Sequence, residues 1–425
     1  MFSLTFRRPV IRRPARAAGV LALLAIVGPG LVSGFADNDA GGITTYSIAG
    51  AQFGYDLLWV LLASQVALFL TQEAGARIGL ATGQGLSGLI REKFGVRWAA
   101  LAVATMLAAN LGDTVAEFAG IGAALSLFGV PVLVSALVAA VAMVGLLVRA
   151  GFGRVQWLFV VVGVAVSVAY AVSAVLARPD WGRAADSLVT LHGNPLASAY
   201  LLAVVGTVGT TITPWGQAFI QSYVVDKGLR PSHLAGSRLD ILVGAFLTNL
   251  VAGFIVVACA ATLWTHGLTR IADASDAARA LGPLAGGAAE DLFAAGLLAA
   301  SLLGLGTVPL TSAYSACEAF GWESGLDRRP GDARAFYGLL AFFVGFAALF
   351  LLIPGLPLVA VMFLSQVFDG LLLPIVLVFV MLIARDAGLM GSLRSGRVLG
   401  GVGWAVTVAL AVLSIALVAT QALTL

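Results

Sequence analysis

The sequence predicts an all-α membrane protein of about eleven transmembrane helices. Two five-helix repeats of opposite orientation precede one extra helix, and the first and sixth helices are broken. Three observations carry this prediction. Hydrophobic residues make up 60% of the chain and charged residues 11%, which lies outside the range of soluble domains. Apolar stretches of about 20 residues, enough to cross about 30 Å of hydrocarbon, recur along the whole length. Two of these stretches carry polar runs and helix breakers at corresponding places.

In order, the spans run over 17–53, 56–80, 98–127, 130–148, 154–177, 196–224, 238–264, 290–318, 334–353, 356–384 and 398–423. The first and sixth are too long and too interrupted to be simple rods. Span 1 reads GPGLVSGFADNDAGGITTYS and span 6 reads VVGTVGTTITPWGQAFIQS. Breakers at matching points in two halves are the sequence mark of inverted repeats with a site between them. Residues 17–177 then form the first repeat, 196–384 the second, and 398–423 the extra helix, all within one transmembrane domain. An odd number of helices per repeat reverses its orientation. The polar segments 178–195 and 265–289 are expected to form short surface helices.

Charge placement predicts topology. With a cytoplasmic N-terminus, all but four of the 24 Lys and Arg fall on the inside; Arg178, Arg183, Arg270 and Arg279 are the exceptions. This is the positive-inside bias, and eleven spans then put Leu425 outside. A multi-pass protein of a bacterial plasma membrane fits, with the lipid bilayer as its surroundings and no nucleic-acid partner. Oligomeric state is not legible. A signal-peptide reading of apolar residues 18–27 would remove the segment bearing Asp37 and Asp39, and is set aside. Cys259 and Cys317 lie in different spans without metal spacing, and read as buried small hydrophobes.

Asp37 and Asp39 stand in the middle of an otherwise apolar span. A carboxylate at that depth is expensive and marks a functional site. Gly41 and Gly42 suggest that the helix is interrupted there, and freed carbonyls at a break can face a cation. Asp39 is the leading metal ligand; capping the second half-helix is its alternative role. Gly42 leaves room for an ion. Asp37, two residues away, suits a vestibule or supporting position. In span 6, Thr210 and Thr213 share a face if the first half-helix reaches both, and Pro214 stops the helix beside them. Their hydroxyls either complete an oxygen shell or bond to their own helix. Asn110, Asp113 and Glu117 form one stripe on span 3, as a polar pathway or a structural pair. Gln366 and Asp369 share a face of span 10, with Gln366 a further ligand candidate. Asn249 reads as glue between helices.

Taken together, these motifs resemble the Nramp family of divalent-metal transporters. Four features carry the likeness: GPG at 28–30, Asp39 nine residues later followed by X-Gly, Ala-Glu-Phe-X-Gly at 116–120, and Gly-X-X-X-X-Pro at 209–214. The resemblance implies a LeuT-type fold. Departures accompany it. Family members that carry manganese and iron have Asp-Pro-Gly-Asn where this chain has Asp39-Ala40-Gly41-Gly42, and Met-Pro-His where it has Thr213-Pro214-Trp215. The usual acid three before the span 3 glutamate is Thr114, with Asp113 one position away. In these respects the chain resembles the divergent Nramp-related branch associated with magnesium transport.

Donor chemistry points the same way. Carboxylate, hydroxyl, carbonyl and water suit Mg²⁺, Ca²⁺ and Mn²⁺, whereas thioether favours softer metals, and no methionine lies in either break in the sequence. The expected activity is movement of a divalent cation, Mg²⁺ and also Mn²⁺, into the cell as substrate. No cofactor is expected. His192, His233 and His266 all fall in or beside loops, so the residue that most often titrates near neutral pH is missing from the spans, and tight proton coupling is not expected. The alternative is a proton-coupled Mn²⁺ or Fe²⁺ importer using Asp113 or Glu117. An organic-solute carrier would meet repulsion between Asp39 and a substrate carboxylate. A hydrolase would need a motif such as HExxH or GxSxG, and neither is present.

Overall fold

The computed structural model describes residue 34 and residues 37–149, 152–195, 197–325 and 328–422. Most of the first half of span 1, including the GPG motif, lies outside the described residues, as does the 18–27 segment. The principal helices are α1 (Ala40–Phe53), α2 (Leu58–Thr82), α3 (Leu86–Phe94), α4 (Val96–Ser126), α5 (Val132–Arg149) and α6 (Phe152–Leu176). They continue with α7 (Ser198–Thr211), α8 (Pro214–Asp226), α9 (Leu234–Thr262), α10 (Ala289–Phe320), α11 (Arg334–Phe350), α12 (Leu358–Ala384) and α13 (Arg397–Ala422). No strand occurs among the described residues. Among the described residues, six helical segments are long and apolar enough to cross a membrane by length and composition. The chain is a multi-pass integral membrane protein, and from residue 56 onward the expected spans match the helices to within a few residues.

Local chemistry sets the helix ends. α2 stops at Gly83 and α10 at Gly321, both in the left-handed region with φ of 66° and 73°, which glycine adopts without a Cβ penalty. Short helices such as Trp181–Asp186 and Ala274–Ala278 occupy the two polar segments, as expected. α3 buries Leu86, Leu89 and Ile90 and carries Arg91 and Lys93 in its last turn. Lys93 pairs with Asp386.

Both breaks are present, and their details differ from the sequence reading. Residues 37–39 are not helical, and α1 begins at Ala40 with Asp39 as its N-cap. Gly41 and Gly42 therefore sit in the first turn rather than in the gap. In span 6, α7 ends at Thr211, and Thr213 caps α8 with Pro214 at the first helical position, where its missing N–H costs nothing. Thr210 and Thr213 thus belong to different half-helices and do not share a helix face.

The breaks lie inside the bundle. α4 packs along α10 and α12, α7 along α12, and α1 along α9. Small residues permit these close crossings, as in other membrane bundles. A Cβ on Gly209 would collide with the Gln366 carbonyl and the Gly370 amide, and one on Gly370 with the Val205 carbonyl. Gly209→Val is expected to push α7 off α12 and lower the melting temperature in detergent, on the order of 1–3 kcal/mol of overpacking. An unchanged melting curve would contradict this crossing. Cys259 and Cys317 are free and buried. Asn249 links α9 to α2, donating to Gln65 Oε1 at 3.0 Å.

Candidate functional site at the helix breaks

Five carboxyl groups gather around the breaks. Asp37 and Asp39 are 1% exposed, and Asp113, Glu117 and Asp369 are fully buried. None of the ion pairs among the described residues involves them. Buried charge without a partner is strongly unfavourable, so these carboxyls call for a proton or a cation among them. The Glu117 carboxyl approaches that of Asp39, and Asp369 approaches Asp113. Facing carboxylates repel unless a proton or cation lies between them.

Each side chain has an identifiable support. Asp39 Oδ1 accepts from the Gly42 amide at 2.8 Å. This is a capping bond, and a carboxylate retains lone pairs for a cation. Thr213 Oγ1 accepts from the Gly216 amide at 3.2 Å and donates to Asp37 Oδ1 at 3.4 Å, joining the two breaks. The Tyr46 hydroxyl donates to Thr211 Oγ1 at 3.0 Å, which itself donates to the Thr207 carbonyl. The second bridge thus ties α1 to α7.

The centre of the site is the empty side-chain position of Gly42. A methyl group there would lie 2.8 Å from the Asp37 carbonyl oxygen, 3.1 Å from Thr210 Oγ1 and 3.4 Å from Asp39 Oδ1. Thr210 Oγ1 is buried and makes no hydrogen bond to the protein. Carbonyl, hydroxyl and carboxylate oxygens thus converge on one small space. The C-terminal end of α7 adds partial negative charge beside it. Among the described residues, no three of His, Cys, Asp or Glu are grouped to hold a metal alone. A cation here would draw on mixed oxygen donors.

The opposite wall comes from α4, α10 and α12. Gln366 Nε2 donates to Asp113 Oδ1 at 3.0 Å and to Ser365 Oγ at 3.0 Å, while its Oε1 is unpartnered. Its amide packs where a Gly41 side chain would be, and the Glu117 carboxyl packs against Gly304. Asn110 donates to Ser312 Oγ at 2.7 Å, so the α4 stripe faces α10 and α12.

Asp39, Gly42 and Thr210 therefore surround one space, Asp37 and Thr213 pair beside it, and Gln366, Asp113 and Glu117 line the adjoining wall. The sequence reading placed Asp369 beside Gln366 but gave it no role, although their three-residue spacing was a usable signal. Tyr46 and Gly304 went unrecognised; only the seven-residue spacing from Asp39 to Tyr46 pointed to the first. Methionine also enters: Thr44 Oγ1 contacts Met362 Sδ at 3.4 Å, bringing a thioether to the α1 turn after the break.

Broken helices meeting around a buried acid cluster define a membrane transporter of the LeuT type. A family model described as natural resistance-associated macrophage protein-like (Nramp) matches residues 30–420. This chain belongs to the Nramp family, whose members are transporters rather than enzymes. The divalent metal cation transporter MntH of Ralstonia nicotianae is 31% identical over 418 residues, covering 93% of this chain and 91% of the relative. MntH of Deinococcus radiodurans is 30% identical over 412 residues, covering 94% and 90%. The crystal structure of the Eremococcus coleocola manganese transporter, in complex with an aromatic bis-isothiourea substituted compound, matches with a TM-score of 0.77. It is 21% identical and covers 99% of this chain and 91% of that one. That likeness shows the fold.

Proposed function

We propose that this protein carries divalent metal cations through the bilayer, with Mn²⁺ as the leading substrate and Mg²⁺ as a second. The observation that carries the reading is the oxygen-lined space at Gly42, between Asp39, Thr210 and the Asp37 carbonyl. Hard oxygen donors suit both ions. The relatives' names, a divalent metal cation transporter and a manganese transporter, favour Mn²⁺ over the Mg²⁺-first expectation. They give magnesium no specific support. The metal is cargo, so no resident cofactor is assigned.

Asp39 and Thr210 serve as direct ligands in this reading, Thr213 and Gln366 complete the shell directly or through water, and Asp37 holds Thr213. The halves 17–177 and 196–384 rock against one another around the breaks, with the N-terminus cytoplasmic and Leu425 outside. An inside-negative potential drives a divalent ion inward by about 4.6 kcal/mol per 100 mV, twice the single-charge value.

Proton-coupled uptake is the second reading. It is favoured by the burial of Asp113, Glu117 and Asp369 without basic partners among the described residues. Flux into proteoliposomes with Mn²⁺, Mg²⁺, Ca²⁺ and Fe²⁺, with internal pH followed, tests both. Saturable Mn²⁺ entry supports the proposal, and its absence for all four ions refutes it. Internal acidification during uptake selects the coupled reading. Thr213→Met is expected to strengthen Cd²⁺ binding by adding a soft donor at the break. Calorimetry showing no gain would remove Thr213 from the shell.

A further inference from the structure

A second concentration of charge lies away from the breaks, where the end of α2 meets the starts of α9 and α13. Arg77, Arg238, Arg394 and Arg397 line a cavity of about 460 Å³ there. Glu73, 1% exposed, pairs with Arg77 and accepts from Arg238 Nε at 2.8 Å. Arg77 Nη1 also reaches Ser395 Oγ at 3.5 Å, and Arg394 Nε donates to the Arg385 carbonyl at 2.7 Å. Among the described residues, neither Arg394 nor Arg397 forms an ion pair. The cavity therefore holds more guanidinium charge than Glu73 neutralises. Gly396 and Val398 also line it, so the unpaired N–H groups that begin α13 add partial positive charge.

An aliphatic rim accompanies the charge. Leu234 and Leu399 line the cavity, and Val398, on the same wall, is 81% exposed. Val398 opens α13, an apolar span largely uncovered by the rest of the protein, so the guanidinium groups stand beside an exposed apolar surface. We propose that this cavity binds the phosphate headgroup of an anionic phospholipid. Guanidinium groups take phosphate oxygens in paired hydrogen bonds, and basic pockets between transmembrane helices collect anionic headgroups. The aliphatic rim accommodates the glycerol and the first acyl carbons, which a free phosphate ion would not use. The arginine bias places this face in the cytoplasmic leaflet. A bound lipid bridges α2, α9 and α13 and stabilises their junction.

The test measures native mass spectrometry and melting temperature for the full chain in detergent micelles, with phosphatidylglycerol, phosphatidylcholine or inorganic phosphate added separately. Phosphatidylglycerol is expected to remain bound and raise the melting temperature, whereas phosphatidylcholine does neither. Arg394→Gln with Arg397→Gln is expected to weaken retention roughly tenfold or more and to remove most of the rise in melting temperature that phosphatidylglycerol gives over phosphatidylcholine. Arg328→Gln with Arg329→Gln removes the same charge elsewhere and is expected to keep the lipid. Equal retention of both lipids, or undiminished retention by the first double variant, overturns the site. Inorganic phosphate matching the phosphatidylglycerol shift overturns the lipid headgroup as its occupant.

Discussion

Asp39→Asn protein in proteoliposomes is expected to lose Mn²⁺ and Mg²⁺ uptake while keeping the wild-type melting temperature. The choice of asparagine separates two roles that coincide at this residue. Asp39 caps α1 through Oδ1, and alanine would remove both cap and charge, at about 0.5–2 kcal/mol for the cap alone. Asparagine caps nearly as well as aspartate, so its loss of transport reports the charge. Groups one step removed from a metal typically cost 10–100-fold in affinity; a direct carboxylate ligand is expected to cost at least about 100-fold. Asp39→Ala should also abolish uptake, with a modest fall in stability. Near-normal flux in Asp39→Asn would remove Asp39 from the metal shell.

Gly42→Ala is expected to impair transport far more than it lowers stability. A Cβ at Gly42 would press on the Asp37 backbone carbonyl, so the turn at the break must shift, and the helix preference of alanine, about 1 kcal/mol, offsets that cost only in part. The methyl group would also occupy the space between the Asp37 carbonyl, Thr210 Oγ1 and Asp39 Oδ1, at 2.8, 3.1 and 3.4 Å. A cation bound there would have to leave or shift. Expected results are a somewhat lower melting temperature with at least a tenfold fall in apparent metal affinity of the folded protein, and full loss of uptake for Gly42→Val. Undiminished flux in both variants would place the ion elsewhere.

Much of this was legible in the sequence because membrane helices must be long, apolar and internally hydrogen-bonded. The stretch 356–384 became α12, and the stretch 398–423 became α13, each within two residues of its observed start. The span 6 break was legible from Pro214, whose missing amide proton can be tolerated only near a helix start. The span 1 break lies at Asp39 as expected, but the glycine pair beside it belongs to the helix that follows. A glycine pair reads as a helix breaker, yet the Asp39 carboxylate satisfies the Gly42 amide and lets α1 begin before it. The same local rule put Thr213 on α8 rather than α7, since its hydroxyl caps the Gly216 amide.

By itself the sequence determined that the chain crosses a membrane repeatedly, that two spans break at acids and hydroxyls, and which polar residues share a helical stripe. Spacing of three or four residues places Asn110, Asp113 and Glu117 together without reference to any partner. Only the tertiary structure decided which stripes meet: Glu117 against Asp39 and Gly304, Asp113 against Gln366 and Asp369, and Tyr46 against Thr211. Helical periodicity fixes which side of a helix a residue occupies. Which helix that side faces depends on packing between segments as much as 318 residues apart, as for Thr44 and Met362, and on small residues such as Gly209 and Gly370 that let backbones touch.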